Sequence, residues 1–191
     1  MMKQTIKRPL RVLRHVPDQV LHTYRRRRVR ASLEGRRIRS VLFVCHGNIN
    51  RSAYAAAAFR RALPESVNGT FRVASAGFIG SGRPASELAQ LVAARRELDL
   101  AGHVSRLLDP EELRSTDLIV VMNTAQRSQV CRLSGRAPQD VVLLGDLDPE
   151  PIDRRTVQDP YGRSEAVFED VFDRIDRCVR ELAAIVTRAA S

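Results

Sequence analysis

The chain has 191 residues, 43% of them hydrophobic and 28% charged, which suits one globular domain with a substantial core. Its formal charge of +10 comes from 32 Lys+Arg against 22 Asp+Glu, and all of that excess lies in residues 1–38; residues 39–191 balance to zero, which disfavours a uniformly basic nucleic-acid-binding domain. There is no apolar run long enough to span a membrane and no apolar core of a secretory signal at the start, so the expected setting is the reducing cytoplasm.

Residues 1–38 read as a basic N-terminal extension, an arm that is partly helical or disordered. Leu10, Leu13, Val16, Val20, Leu21 and Tyr24 recur at helix-like spacing, followed by the run Arg25 to Arg28 and by Arg30, Arg36 and Arg37. Pro9 and Pro17 limit any helix to pieces, and Gly35 marks a joint before a domain at 39–191. Four readings of this arm stand side by side: a solvated tail, a peripheral contact with an anionic membrane surface, a contact with an acidic partner or nucleic acid, and an organellar transit segment.

From Ser40 the pattern changes. Val41-Leu42-Phe43-Val44 is a continuous apolar run fit for a strand buried on both faces. Residues 52–63 are Ala-rich and helical; Phe71–Ala76 reads as a second strand, 85–98 as a helix, Leu118–Met122 as a third strand, 124–134 as a helix and Val141–Leu144 as a fourth strand. Residues 164–189 form the clearest helix, with Val167, Val171, Ile175, Val179, Leu182 and Val186 on one stripe. Strands alternating with helices predict an α/β fold: three layers, with a four-stranded parallel doubly wound sheet between helices.

The segment Cys45-His46-Gly47-Asn48-Ile49-Asn50-Arg51-Ser52 follows the first strand and opens the first helix of the domain. In a doubly wound sheet that junction binds anions, because loop N–H groups and the helix dipole both present positive potential. A cysteine and an arginine separated by five residues let the loop curl around one tetrahedral oxyanion. Cys45 then lies beneath the oxyanion, and the planar guanidinium of Arg51 grips two of its oxygens. The same field favours the nucleophilic thiolate, and Ser52 can donate a hydrogen bond to the sulfur. The segment lacks the Gly-Lys-Ser/Thr ending of a nucleotide-binding P-loop.

Residues 41–52 resemble the loop of the low-molecular-weight protein tyrosine phosphatases, usually C-x-G-N-x-C-R-S-P after a hydrophobic strand. Ser75-Ala76-Gly77, Gly102 to Arg106, Asp117 to Met122 and the bacterial-type Gln158-Asp159-Pro160-Tyr161-Gly162 extend the resemblance, in order, across residues 39–191. It implies hydrolysis of phosphotyrosine through a phosphocysteine on Cys45, with Arg51 stabilising the transferring group and Asp159 as general acid. Residues 46–50 and Ser52 would bind phosphate, and Tyr161 would stack on the substrate ring. Asn48, Ser75 and His103 would hold the loop in shape. No metal or other cofactor is implied, and none of the four histidines has ligand spacing. Substrates in bacteria would be phosphotyrosine proteins, including tyrosine kinases of exopolysaccharide assembly.

The sequence departs from the pattern at four places. Asn50 stands where many relatives have a second cysteine able to form a reversible disulfide with the nucleophile. Cys131 and Cys178 fall on predicted helices with no evident route to Cys45. Ala53 replaces the usual proline at the helix start, and His46 a commonly apolar residue at the rim. The 78–84 loop is short, leaving Phe78 as its only aromatic wall, with Arg83 beside it. Competing readings are a same-fold arginine-phosphate phosphatase, which tends to place threonine where Ile49 stands; an arsenate reductase, which needs two further relay cysteines; and an inactive phosphate-binding scaffold.

Overall fold

A computed structural model describes residues 16–188. Its centre is a four-stranded, all-parallel sheet of β1 (Ser40–Cys45), β2 (Arg72–Gly77), β3 (Leu118–Val121) and β4 (Val141–Leu143), in the order β2-β1-β3-β4. Every residue of β1, β3 and β4 is buried, as expected of strands covered on both faces. Val41, Phe43, Val120 and Val142 point into one layer; Leu42, Val44, Ile119, Val121, Val141 and Leu143 point into the other. That period-two alternation divides the core between the two sides of the sheet.

Among the described residues, seven α-helices surround the sheet: α1 (Val16–Leu33), α2 (Arg51–Ala62), α3 (Glu65–Asn68), α4 (Glu87–Ala94), α5 (Pro110–Ser115), α6 (Thr124–Ser134) and α7 (Glu165–Arg188). The larger layer joins α2, α4 and α7 around Tyr54, Phe59, Phe168 and Phe172. Tyr54 stacks on Phe172 with centroids 3.7 Å apart and donates to Asp176 at 2.9 Å. The smaller layer holds Leu113 of α5 and Val130 of α6. The α7 stripe is buried as its spacing predicts, except that Val167 is only partly covered. The helix anticipated at 85–98 stops at Ala94, and Glu97 then takes a left-handed φ of 59°. Helices α3 and α5 are each one turn or little more and carry no periodic signal.

The described part of the basic arm is helical, and it is packed against the domain. Residues 16–33 form one helix, and Pro17 sits in its first turn, where its missing N–H costs nothing. Gly35, at φ +75°, ends it in a left-handed turn that a side chain would strain. The helix is neither a solvated tail nor oriented by its apparent apolar stripe. Val20 and Tyr24 are 72% and 63% exposed, whereas Leu33 is fully buried and His22 nearly so. His22 Nε2 bonds to the carbonyl of Asp148 at 2.9 Å, Gln19 to Asp153 at 2.8 Å, and the N–H of Arg155 to Asp18 at 3.3 Å. Arg26 and Arg30 both pair with Glu181 of α7. The docked face is thus chosen by polar partners far along the chain, which spacing alone does not reveal. Leu10 and Leu13 lie outside the described residues.

Where the arm enters β1, Asp117 accepts from the N–H groups of Arg39 and Ser40 and from the Ser40 hydroxyl, at 2.8–2.9 Å. Partial burial opposes its ionisation, but these hydrogen bonds and the charge of Arg72 prevail and hold the carboxyl below its ordinary range.

Candidate active site

The parallel order places β1 between β2 and β3, so the chain's crossovers diverge from the end of β1. Loop 46–50 emerges into that crevice and turns into α2, whose first N–H groups are there to meet an anion. The Tyr54 N–H bonds to the Asn50 carbonyl at 2.9 Å and begins the helix.

Asn48 is the hub of the loop. It is fully buried and holds a left-handed φ of 53°, a conformation that asparagine tolerates better than most residues. Its amide donates to Ser52 Oγ at 3.0 Å and to Ser75 Oγ at 2.9 Å, and its side-chain oxygen accepts the N–H of Arg106 at 3.0 Å. Its carbonyl meets His103 Nε2 at 2.6 Å. Three buried groups of Asn48 thus make four hydrogen bonds to three separate segments. Gly77, at the end of β2, completes the fit: a Cβ there would meet the Asn48 nitrogen at 2.8 Å and the His46 oxygen at 2.9 Å.

Ser52 donates to Cys45 Sγ at 3.0 Å, an arrangement that favours negative charge on sulfur. The Arg51 side chain is almost entirely buried. It bonds to the Val157 carbonyl at 3.2 Å and forms an ion pair with Asp159. Its Nε is buried without a partner among the described residues and remains a spare donor. Asn50 accepts from the Ser86 hydroxyl at 2.6 Å, so this position ties the loop to the start of α4.

Cys45, His46, Gly47, Ile49, Asn50, Arg51, Asp159 and Tyr161 converge on one pocket of about 130 Å³. Two further wall residues are Arg83, noted from the sequence beside Phe78, and Ile79, which the sequence did not single out. Phe78, expected as the aromatic wall, instead packs into the smaller core layer. The neighbouring Ile79, 46% exposed, takes its place, because successive residues leave β2 on opposite sides. Arg83 donates to the Gly47 carbonyl at 3.0 Å and closes the rim. Tyr161 is 67% exposed at the mouth. Asn48, Ser52, Ser75 and His103 stand behind the loop. The only signal for Arg83 in the sequence is a positive charge in a glycine-rich segment.

Of the other thiols, Cys131 packs against the smaller layer on the opposite side of the sheet. Cys178 is fully buried in α7; burial, followed by the charge of Asp148, pushes its thiol far above the ordinary range. It is a poor nucleophile there.

This arrangement of strand, oxyanion loop and helix matches known proteins over most of the chain. Residues 40–191 match the sequence profile of the family described as low molecular weight phosphotyrosine protein phosphatase. The low molecular weight protein-tyrosine-phosphatase Etp of Escherichia coli is 33% identical over 150 residues, 78% of this chain and 95% of Etp. The crystal structure of the Erwinia amylovora tyrosine phosphatase AmsI superposes with a TM-score of 0.68 at 28% identity, covering 77% of this chain and 92% of AmsI. The YwlE arginine phosphatase superposes with the same TM-score at 26% identity, covering 78% of this chain and 96% of that one. The chain belongs to the low molecular weight phosphotyrosine protein phosphatases, enzymes that hydrolyse phosphate esters of protein tyrosine.

Proposed function

We propose that Cys45 attacks the phosphorus of a protein phosphotyrosine, with the loop N–H groups and Arg51 gripping the equatorial oxygens. The S–P bond forms as the P–O bond to the ring breaks, and Asp159 gives its proton to the departing phenolate oxygen. Asp159 then takes a proton from the water that attacks the phosphocysteine, releasing phosphate and the Cys45 thiolate. An incoming phosphoryl group competes with Asp159 for Arg51, which frees the carboxyl to turn toward the leaving oxygen. Tyr161 at the mouth would stack on the substrate ring. The observation that carries this reading is the convergence of Cys45, Arg51 and Asp159 on one pocket behind a loop locked by Asn48.

Arginine phosphatase activity shares the fold but is disfavoured by Ile49, whose branched side chain lines the pocket. Arsenate reduction is disfavoured because Cys131 lies across the sheet and Cys178 is sealed in α7. A scaffold would have no use for Asp159. Hydrolysis of p-nitrophenyl phosphate, phosphotyrosine and phosphoarginine by wild type, Cys45→Ser and Asp159→Asn tests the scheme. Activity that survives Cys45→Ser would sink the mechanism. Asp159→Asn should lower kcat by about 10²–10³ on phosphotyrosine, with a smaller loss on the nitrophenyl ester, whose leaving group needs less protonation.

The substrates we favour are cytoplasmic phosphotyrosine proteins, among them tyrosine kinases of exopolysaccharide assembly. No helix among the described residues is long and apolar enough to cross a membrane. Residues 1–38 carry the net charge, and Val20 and Tyr24 stand exposed beside arginines, so we assign this segment to contact with an anionic membrane surface. Sedimentation with anionic liposomes should bring down the full chain and not one that begins at Arg39.

A further inference from the structure

A groove of about 400 Å³ runs between α1 and the edge strand β4, lined in part by Leu21, Tyr24, Arg25, Arg28, Arg127 and Arg155. It is separate from the catalytic pocket and shares no lining residue with it. Its charges are unbalanced. Both oxygens of Asp146 are taken by Arg155, at 2.8 and 2.6 Å. Asp18 is engaged by Arg25 at 2.7 Å and by the Arg155 N–H. Arg127 is partly buried, and neither its guanidinium nor that of Arg28 has a hydrogen-bond or ion-pair partner among the described residues. Burial and then the charge of Arg155 push Arg127 below its ordinary range; Asp146 and Cys131 oppose this in part, and Arg25 adds a smaller push. Arg127 also sits in the first turn of α6, which has no acidic residue and whose dipole is positive. A half-desolvated guanidinium among like charges is unfavourable unless an anion compensates it. Beside it Leu21, Tyr24 and Val29 provide an apolar wall.

We propose that this groove is a second, non-catalytic site for a phosphate monoester with an aryl group. The phosphate is held by Arg127 and Arg28, and the ring lies against Tyr24 and Leu21. Planar guanidiniums suit the dianion, and an aromatic face suits the ester's organic part. The ligand can be a free ester or a phosphorylated side chain of a protein.

The test is an NMR titration of the full-length Cys45→Ser chain with inorganic phosphate, O-phosphotyrosine and a phosphotyrosine peptide. Backbone amides of 24–29 and 125–128 should shift with a Kd distinct from that of loop 46–51. O-Phosphotyrosine should bind the groove more tightly than inorganic phosphate, and Arg28→Gln with Arg127→Gln should weaken it by about tenfold. The loop titration should be unchanged by that pair. A peptide that binds the groove no worse than the free amino acid assigns the site to protein-borne phosphate; a markedly weaker peptide assigns it to a free ester. Shifts confined to 46–51, or groove shifts that survive the double variant, overturn the proposal. Equal affinity for phosphate and phosphotyrosine overturns its aryl part. A silent loop with a responding groove would count against the phosphatase mechanism instead. Thermal melting controls for folding: the double variant should melt no lower than its parent, because it relieves like-charge crowding.

Discussion

The phosphate loop and helix α1 are both fixed by polar contacts, but in opposite ways. In the loop, Asn48 is buried, and its side-chain amide, side-chain oxygen and carbonyl are all matched by partners in fixed positions. A buried network of that kind admits few alternatives, because any lost partner leaves a desolvated group unsatisfied. Helix α1 is held by partly exposed ion pairs to Glu181 and by single bonds to Asp148, Asp153 and Arg155, with Leu33 as its buried apolar anchor. Surface pairs of this type contribute about 0–1 kcal/mol each and weaken with salt. The loop therefore specifies a shape, while the helix contributes adhesion.

Four measurements would break or sharpen this contrast. The largest effect is expected from peroxide. With Asn50 bonded to Ser86 and no disulfide at Cys45, oxidation should abolish activity, and dithiothreitol should recover little of it. Full recovery would show that a second thiol reaches Cys45. Next is Asn48→Ala, which removes three side-chain hydrogen bonds and the tolerance for left-handed backbone. It should lower kcat by about 10²-fold and stability by about 2–4 kcal/mol. A near-normal kcat would mean that the loop keeps its shape without the hub.

A chain beginning at Arg39 should come third. Loss of the buried Leu33 and Ile38 should destabilise the domain by about 3–5 kcal/mol, while kcat per folded molecule stays within about threefold of the full chain. The stability difference should shrink in high salt as the Glu181 pairs are screened. A kcat loss as large as that of Asn48→Ala would erase the distinction between shape and adhesion. The smallest effect concerns Asp117, at the junction of the two regions. Its carboxyl is held below the ordinary range, so its contribution to stability is fully present above about pH 4 and is lost as pH falls through the folded-state value. Asp117→Asn should flatten the acid limb of the melting-temperature profile below about pH 4. An unchanged limb would mean that other carboxylates dominate it.

The two regions also differ in how far they were legible from sequence. Cys45, Arg51 and Ser52 are close in the chain, and their spacing after a buried strand is itself the chemistry; the Asp159 loop is legible only through resemblance. The helix at 124–134 coincides with α6, because short-range patterning governs it. The docked face of α1 was not legible, because Val20, Leu21 and Tyr24 carry the visible periodicity, while the contacts that orient the helix come from Asp148, Asp153 and Glu181. The turn of Phe78 into the core and of Ile79 into the pocket depends on how β2 ends against the loop.

Sequence alone determined the alternation of buried strands and helices and the placing of Cys45, Arg51 and Ser52 at the turn from the first strand of the domain into its first helix, because these depend on residue type, period and spacing within about a dozen positions. Only the tertiary structure decided which face of α1 docks, which residue walls the pocket, and that four arginines from α1, α6 and the segment before Asp159 share one groove. Those outcomes require partners far apart in the chain to meet, and no local pattern records where a distant carbonyl or carboxylate will stand.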